Sequence, residues 1–328
     1  MTHKQRYITA MNFRQPDDMV AFHELEFQIY GEYVGEDPIM GYAYEKLSPA
    51  EKEKALGRNA EIFVKAADKA GHDVIKDVNA YWEFAPGVPA LLWLPTMEDR
   101  LNQLKAIKKE AGDEFFLMCT AGGMIGTIPD GNHIVAFVDQ IFEDPASVHA
   151  TAESYLQYMI EAQKRFMEVG AEGSINATDI AFNTGTFLSP AQLDEFFFPY
   201  LERWAEACKK EGLFSVLHTD GDVSAVMDRI VKSGINALQC IDPLTPMEII
   251  PLKEEVYGKL ALVGNIDCSV LQNGTPEEVD TLCKEVILGC KMGGGFALGG
   301  CNAIFKGIPA ENYQAMVDAR KKYGRYQA

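Results

Sequence analysis

Eight short apolar runs, each followed by an amphipathic stretch, constrain this 328-residue chain more than any other feature of its sequence. The runs are DMVAFHEL (18–25), HDVIKDV (72–78), EFFLMCT (114–120), GSINATDI (173–180), FSVLHTD (214–220), ALQCID (237–242), LALVGNID (260–267) and GFALGGC (295–301). Between them, residues 145–169 place Val148, Ala152, Tyr155, Met159, Ala162 and Phe166 at helical spacing. Residues 190–211 do the same with Leu193, Phe197, Leu201, Trp204 and Cys208. Ser189-Pro190 and Thr275-Pro276-Glu277-Glu278 read as helix starts, a capping residue before a first-turn proline. Strand then helix, eight times over, predicts an α/β fold: a single (β/α)8 TIM barrel over residues 1–328 with an N-terminal helical extension. The stretches 26–50 and 79–96 are long, aromatic and acidic, and read as loops over the C-terminal face. A doubly wound open sheet is the rival, but no GxGxxG follows an early strand.

The net charge of −18 and pI near 4.8 disfavour phosphate backbones and anionic lipid, so neither nucleic acid nor membrane is an expected partner. The first residues lack a charged-then-apolar signal pattern, and no apolar run approaches the ~18 residues of a membrane span. Seven cysteines, an odd number without CxxC spacing, read as reduced cytoplasmic thiols, mostly small core residues.

Polar residues gather where each run ends. They are His23, Glu24 and Glu26; Asp77 and Asn79; Thr120; Asp179 and Asn183; His218 and Asp220; Asp242; Asn265 and Asp267; Cys301 and Asn302. In a barrel these ends converge on the face where barrel enzymes keep their chemistry. Asn183, Asp222, Asn302 and Asp242-Pro243 also suit plain turns and caps. His3, His72, His133 and His149 are expected at the surface. His218-Thr219-Asp220 stands out, because an imidazole and a carboxylate close an otherwise apolar strand just before Gly221. His23, Glu24, Thr120, Asn183, Asn265 and Asp267 are candidate substrate contacts. Tyr30, Tyr33, Tyr81, Trp82 and Phe84 are candidates for an aromatic substrate wall or for ordinary loop packing.

FLSPAQLDEFFFPYLERWAEACKKEG, LHTDGDVSAVMDRIVKSGINALQ, GNIDCSVLQNGTPEEV and FALGGCNAIFKGIPAENYQAMVDA resemble the uroporphyrinogen decarboxylase superfamily, more closely its corrinoid-dependent methyltransferases than its haem-pathway decarboxylase. The resemblance covers roughly residues 150–325 and implies a (β/α)8 barrel. The decarboxylase branch grips its polycarboxylate with an arginine-rich N-terminal motif. The corresponding AFHELEFQIYGEYVGED has no arginine and several acids. The methyltransferase branch binds zinc through His-x-Cys-Gly and a later Cys in Gly-Cys-Gly. His218 and Cys301 match two of those positions, and Asp220 replaces the first cysteine. The resemblance therefore implies zinc on His218, Asp220 and Cys301.

A carboxylate in place of a thiolate hardens the metal and suits an oxygen ligand. The expected reaction moves a methyl group from a methoxylated, aromatic donor to the Co(I) centre of a corrinoid, as in the O-demethylase methyltransferases. In it His218 and Asp220 serve the metal and Asp179 orients substrate or relays a proton. No Asp-x-His-x-x-Gly motif is present, so the corrinoid (cobalamin) is expected on a separate carrier protein. A homodimer is compatible with such a barrel. Three alternatives stand: a methylcobamide:thiol methyltransferase of the coenzyme M type, a metal-free decarboxylase using Asp179, and a non-catalytic small-molecule-binding barrel.

Overall fold

The computed structural model describes residues 1–85, 87–89, 91–120 and 134–326. Each of the eight apolar runs contains one strand: β1 Ala21–Phe22, β2 Val74–Lys76, β3 Phe116–Cys119, β4 Gly173–Ala177, β5 Phe214–Thr219, β6 Ala237–Cys240, β7 Ala261–Val263 and β8 Phe296–Leu298. They form one parallel sheet in which every strand neighbours the next in sequence, from β2 round to β8 and on to β1. The register runs Val74↔Phe116 between β2 and β3, Ala177↔His218 between β4 and β5, and Gln239↔His218 between β6 and β5. The remaining seam, β1 to β2, is joined by Asp73 N–H donating to the Phe22 carbonyl at 2.8 Å, and the Asp73 carboxylate accepts Phe22 N–H at 2.8 Å. The sheet is thus a nearly closed (β/α)8 barrel.

Ala21, Val74, Met118, Ile175, Val216, Ala237, Val263 and Ala297 fill its interior, and the helix His3–Met11 adds Tyr7, Ala10 and Met11 to the same cluster. Side chains alternate faces along a strand, so two residues beyond Val74, Val216 and Ala237 the inward positions belong to Lys76, His218 and Gln239. The fold thereby delivers polar side chains to the C-terminal mouth. The outer faces of the strands pack against the helices in two larger apolar clusters.

Two expectations need correction. The stretch 190–211 is two helices, Pro190–Phe196 and Phe198–Glu211, because Pro199 has no N–H to donate and its ring crowds the carbonyl four residues back. The loops 26–50 and 79–96 carry structure of their own: short helices Tyr30–Val34 and Gly41–Glu45, and a hairpin pairing Glu83–Ala85 with Val88–Pro89. Both sequence-read helix starts form capping boxes, Ser189 with Gln192 and Thr275 with Glu278. Among the described residues no helix is long and apolar enough to cross a membrane.

Candidate metal centre at the barrel mouth

β4 and β5 lie side by side, so their C-terminal extensions bring Asp179, His218 and Asp220 together. One ligand atom from each lies within 4.8 Å of the other two, and among the described residues this is the one such group of three. His218 Nε2 stands 3.8 Å from Asp179 Oδ1 and 3.7 Å from Asp220 Oδ1, too far for direct hydrogen bonds. Asp179 Oδ1 accepts Asp220 N–H at 2.9 Å, and Asp220 Oδ2 accepts the Asn302 amide at 2.6 Å, so each carboxylate is held by a hydrogen bond. Burial pushes the Asp220 carboxyl up, with repulsion from Asp179 adding to it and His218 opposing it. Gly221 makes the approach feasible: its φ is +85°, and a Cβ there would lie 2.5 Å from the Ala181 carbonyl oxygen.

Gln239, fully buried on β6, decides which imidazole nitrogen faces the acids. Its Nε2 donates to the carbonyls of Gly300 (3.3 Å) and Cys301 (3.1 Å), which leaves Oε1 to accept from His218 Nδ1. The neutral ring therefore carries its proton on Nδ1 and turns the Nε2 lone pair toward two carboxylates. A nitrogen lone pair and two carboxylates converging on one point attract a cation. Tetrahedral N/O coordination at about 2.0–2.1 Å sets ligand atoms roughly 3.4 Å apart, close to the observed spacing. The donor set thus fits a divalent metal ion. Sequence reading missed Gln239; the available signal was its inward phase, two residues after Ala237.

Cys301 does not join this group of three. Its sulfur lies 3.7 Å from that of Cys268 and packs with Cys240 in a separate buried cluster. Hydrogen bonds from the Cys240 and Cys268 thiols hold the Cys301 thiol well below its ordinary range, helped by the Cys268 backbone N–H and by His218. The Cys240 and Cys268 thiols are pushed up in turn by that neighbour. All seven cysteines are buried and free.

The other candidates are scattered. Glu24 is buried, accepting Gly300 N–H (2.8 Å) and the Tyr313 hydroxyl (3.1 Å), and burial pushes it up to about 8. His23 shares a hydrogen bond with the Tyr7 hydroxyl through Nδ1 (3.0 Å), has no partner at Nε2, and burial then Lys76 push it down to about 3. Asn265 is buried, donating to the Ile241 carbonyl at 2.8 Å with its Oδ1 unpaired. Thr120 belongs to a network on the β2–β3 side with Lys76 (3.3 Å) and Asp77 (2.7 Å), where Lys76 pairs with Glu26 at 3.2 Å. Asn183 is exposed in the turn between Phe182 and Gly185, and Asp267 caps the helix Cys268–Asn273.

Tyr33 is buried and Tyr30 packs on Phe27 and Phe63; both are part of the loop packing. Tyr81 and Trp82 are exposed at the rim, Tyr81 against Trp93, and the Phe84 side chain lies outside the described residues. A cleft lined by Glu26, Tyr30, His72, Lys76 and Leu92 opens between β1 and β2, away from His218. His72 is buried rather than exposed, because its ring packs on Phe22 and bonds Tyr313 OH through Nε2 at 2.5 Å. His3 is partly buried, paired with Asp73 at 3.0 Å, and His149 half-exposed; His133 lies outside the described residues.

A parallel eight-stranded barrel with a histidine–carboxylate centre at its C-terminal mouth defines the class. Residues 94–323 match the uroporphyrinogen decarboxylase (URO-D) family, and the chain belongs to it. It is 31% identical over 187 residues to the uroporphyrinogen decarboxylase of Anaeromyxobacter dehalogenans (strain 2CP-C), covering 56% of this chain and 50% of that one. It is 28% identical over 231 residues to the methylcobamide:CoM methyltransferase MtbA of Methanosarcina mazei, covering 68% and 63%. The chain thus spans between half and two thirds of these relatives. Among solved structures, a methyltransferase from Methanosarcina mazei shares the fold across 98% of this chain and 99% of its own, at TM-score 0.70 and 17% identity.

Proposed function

We propose that this protein is a metal-dependent methyltransferase that moves a methyl group from a methoxylated aromatic donor to the Co(I) centre of a corrinoid held by a carrier protein. The observation that carries this reading is the Asp179–His218–Asp220 group, whose Nε2 lone pair and two carboxylates face one another at cation-binding spacing. It is supported by family membership and by the similarity to a protein described as a methylcobamide:CoM methyltransferase.

His218 and Asp220 would hold zinc, with Asp179 as the third ligand by spacing and Cys301 beside them. Bound there, the metal supplies Lewis acidity to the ether oxygen of the donor. Gln239 keeps the Nδ1 proton of His218 in place, so that Nε2 remains a ligand rather than a donor. Asn302 holds Asp220 in position. Asp179, the most exposed of the three, would be the ligand nearest solvent and the arriving donor. The rim aromatics Tyr81 and Trp82 offer faces for an aromatic ring.

The test is methyl transfer from a panel of methoxylated aromatics to a reduced corrinoid protein, followed by the cobalt spectrum and the demethylated phenol. Transfer that is lost in His218→Ala and Asp220→Ala supports the reading. Full activity in those variants, or no transfer from any donor class by metal-loaded protein, ends it. A second reading, methyl transfer from methylcobamide to a thiol, is favoured by the MtbA similarity and is tested by offering thiols to the methylated corrinoid.

A further inference from the structure

We propose that Cys268 and Cys301 form a modification site, a reversible disulfide pair whose oxidation loosens the adjoining histidine–carboxylate centre. Their sulfurs lie 3.7 Å apart, in van der Waals contact. The backbone holds them there. β7 and β8 stay paired past their ends at Ile266↔Gly300, with Ile266 N–H donating to the Gly299 carbonyl at 2.9 Å and Cys301 N–H to the Ile266 carbonyl at 2.8 Å. Cys301 is thereby fixed beside the chain that reaches Cys268 two residues later, at the start of the helix Cys268–Asn273.

Exposure separates this pair from the other cysteines. Cys268 is 9% exposed and Cys301 8%, whereas Cys119, Cys208, Cys240, Cys283 and Cys290 are at most 1%. So narrow an opening admits a small peroxide more readily than a bulky disulfide, and hydrogen peroxide is the oxidant by class. One thiolate attacks a peroxide oxygen, the O–O bond breaks, and the sulfur becomes a sulfenic acid as water leaves. The second thiol displaces that hydroxyl, forming the S–S bond and releasing a second water. Two thiols and one peroxide thus give one disulfide and two waters, with sulfur oxidised and oxygen reduced. Small-molecule thiols reverse the bond by exchange. Transient, redox-sensing pairs of this kind are the usual form of disulfide among otherwise reduced thiols.

Bonded sulfurs stand about 2.05 Å apart, so closure draws these two together by roughly 1.7 Å. Cys301 carries that movement to the centre by two routes. Its carbonyl accepts from Gln239 Nε2 at 3.1 Å, and Gln239 sets the His218 ring. The next residue, Asn302, holds Asp220 at 2.6 Å. Oxidation therefore displaces the supports of His218 and Asp220 together.

This inference does not rest on the methyltransferase reading. Its test treats the reduced full chain with hydrogen peroxide, counts free thiols, maps non-reduced peptides by mass spectrometry and measures Zn2+ affinity by competition with a chromophoric chelator. The expected result is loss of two of the seven thiols, one linked peptide joining Cys268 to Cys301, and Zn2+ affinity lower by at least about tenfold. Dithiothreitol restores all three. Cys268→Ser abolishes the linked peptide and, reduced, binds Zn2+ as the unsubstituted chain does. Cys240→Ser, the third sulfur of the cluster, leaves the linked peptide in place, and circular dichroism confirms folding of each variant. Oxidation that yields only sulfinic or sulfonic acid, or that links Cys301 to Cys240, overturns the proposal. Unchanged Zn2+ affinity in the linked protein overturns its coupling to the centre. Absence of methyl transfer from every donor, with the linked peptide formed, would remove the proposed function and leave this site standing.

Discussion

Gln239 joins His218 to Cys301: its amide oxygen accepts the His218 Nδ1 proton while its nitrogen donates to the Cys301 carbonyl at 3.1 Å. Strand β6 thereby ties the imidazole of β5 to the segment that follows β8. Gln239→Leu keeps the volume and removes both ends of this bridge. The expected outcome is a folded protein whose affinity for Zn2+ falls about 10–100-fold, read by competition with a chromophoric chelator. Gln239→Glu should lose affinity too, because a carboxylate accepts from His218 but repels the two carbonyls. Unchanged affinity in both variants would show that the ring needs no such support.

Asp220→Cys tests what the carboxylate contributes. A thiolate at this position softens the donor set, so affinity for Cd2+ should rise relative to that for Mg2+. Under the proposed function, transfer from an ether donor should fall while the metal remains bound. Paired measurements of metal affinity and turnover separate these effects. A variant that binds Cd2+ more weakly, with its fold intact, would contradict the assignment of Asp220 as a ligand.

The barrel was legible because strand burial writes itself as apolar runs, and all eight runs contain a strand. His218, Asp179 and Asp220 were legible because polar residues at strand ends converge once the fold is granted. Gln239 was missed because it lies inside an apolar run, where only strand phase distinguishes inward from outward. Cys240 and Cys268 were read as core filler, since burial is the usual state of a free cysteine and their meeting depends on three separate strand ends. His72 was misplaced because one sequence position does not reveal that Phe22 and Tyr313 enclose it. The break before Phe198 was foreshadowed by Pro199, but the helical periodicity ran across it.

His23 and His72 make the fold sensitive to acid. Both are held down to about 3 by burial, against 6.5 for a free imidazole. Between those values the unfolded chain binds protons that the native state refuses. Their stabilising contribution is complete above about pH 6.5 and is lost as pH falls toward 3, at roughly 1.4 kcal/mol per pH unit for each fully displaced proton. His72→Gln should flatten this slope, seen in urea unfolding at a series of pH values as a difference from the unsubstituted chain. Parallel curves below pH 6 would contradict the neutral, buried assignment.

Glu24 works in the opposite sense. Its native value of about 8 exceeds the 4.5 of a free carboxyl, so the native state keeps a proton that the unfolded chain has released. Its contribution is complete below about pH 4.5 and is lost as pH rises toward 8. Glu24→Gln keeps an oxygen to accept Gly300 N–H and has no proton to lose. The difference in unfolding free energy between Glu24→Gln and the unsubstituted chain should therefore move in favour of the variant from pH 5 to 8. A constant difference over that range would refute the assignment.

Gly221 links the fold to the centre, because it follows Asp220 directly and lies under the Ala181–Phe182 hairpin that begins two residues after Asp179. A methyl group there meets the Ala181 carbonyl carbon at 2.6 Å and the Phe182 carbonyl oxygen at 2.8 Å, backbone atoms that cannot rotate away. The φ of +85° adds strain of its own. Gly221→Ala should therefore destabilise the protein by roughly 1–3 kcal/mol or more. The collision is also directional. Relief requires Asp220 and the Asp179 hairpin to move apart, which opens the 2.9 Å bond between Asp220 N–H and Asp179 Oδ1. Metal affinity should then fall even under conditions where the variant is fully folded. Gly212→Ala is the control: its φ of +75° imposes comparable backbone strain, but its Cβ meets nothing within 4 Å and it caps a helix at the opposite end of β5. A larger loss of stability in Gly221→Ala than in Gly212→Ala, with metal affinity lost in Gly221→Ala alone, is the pattern that close packing at the mouth requires.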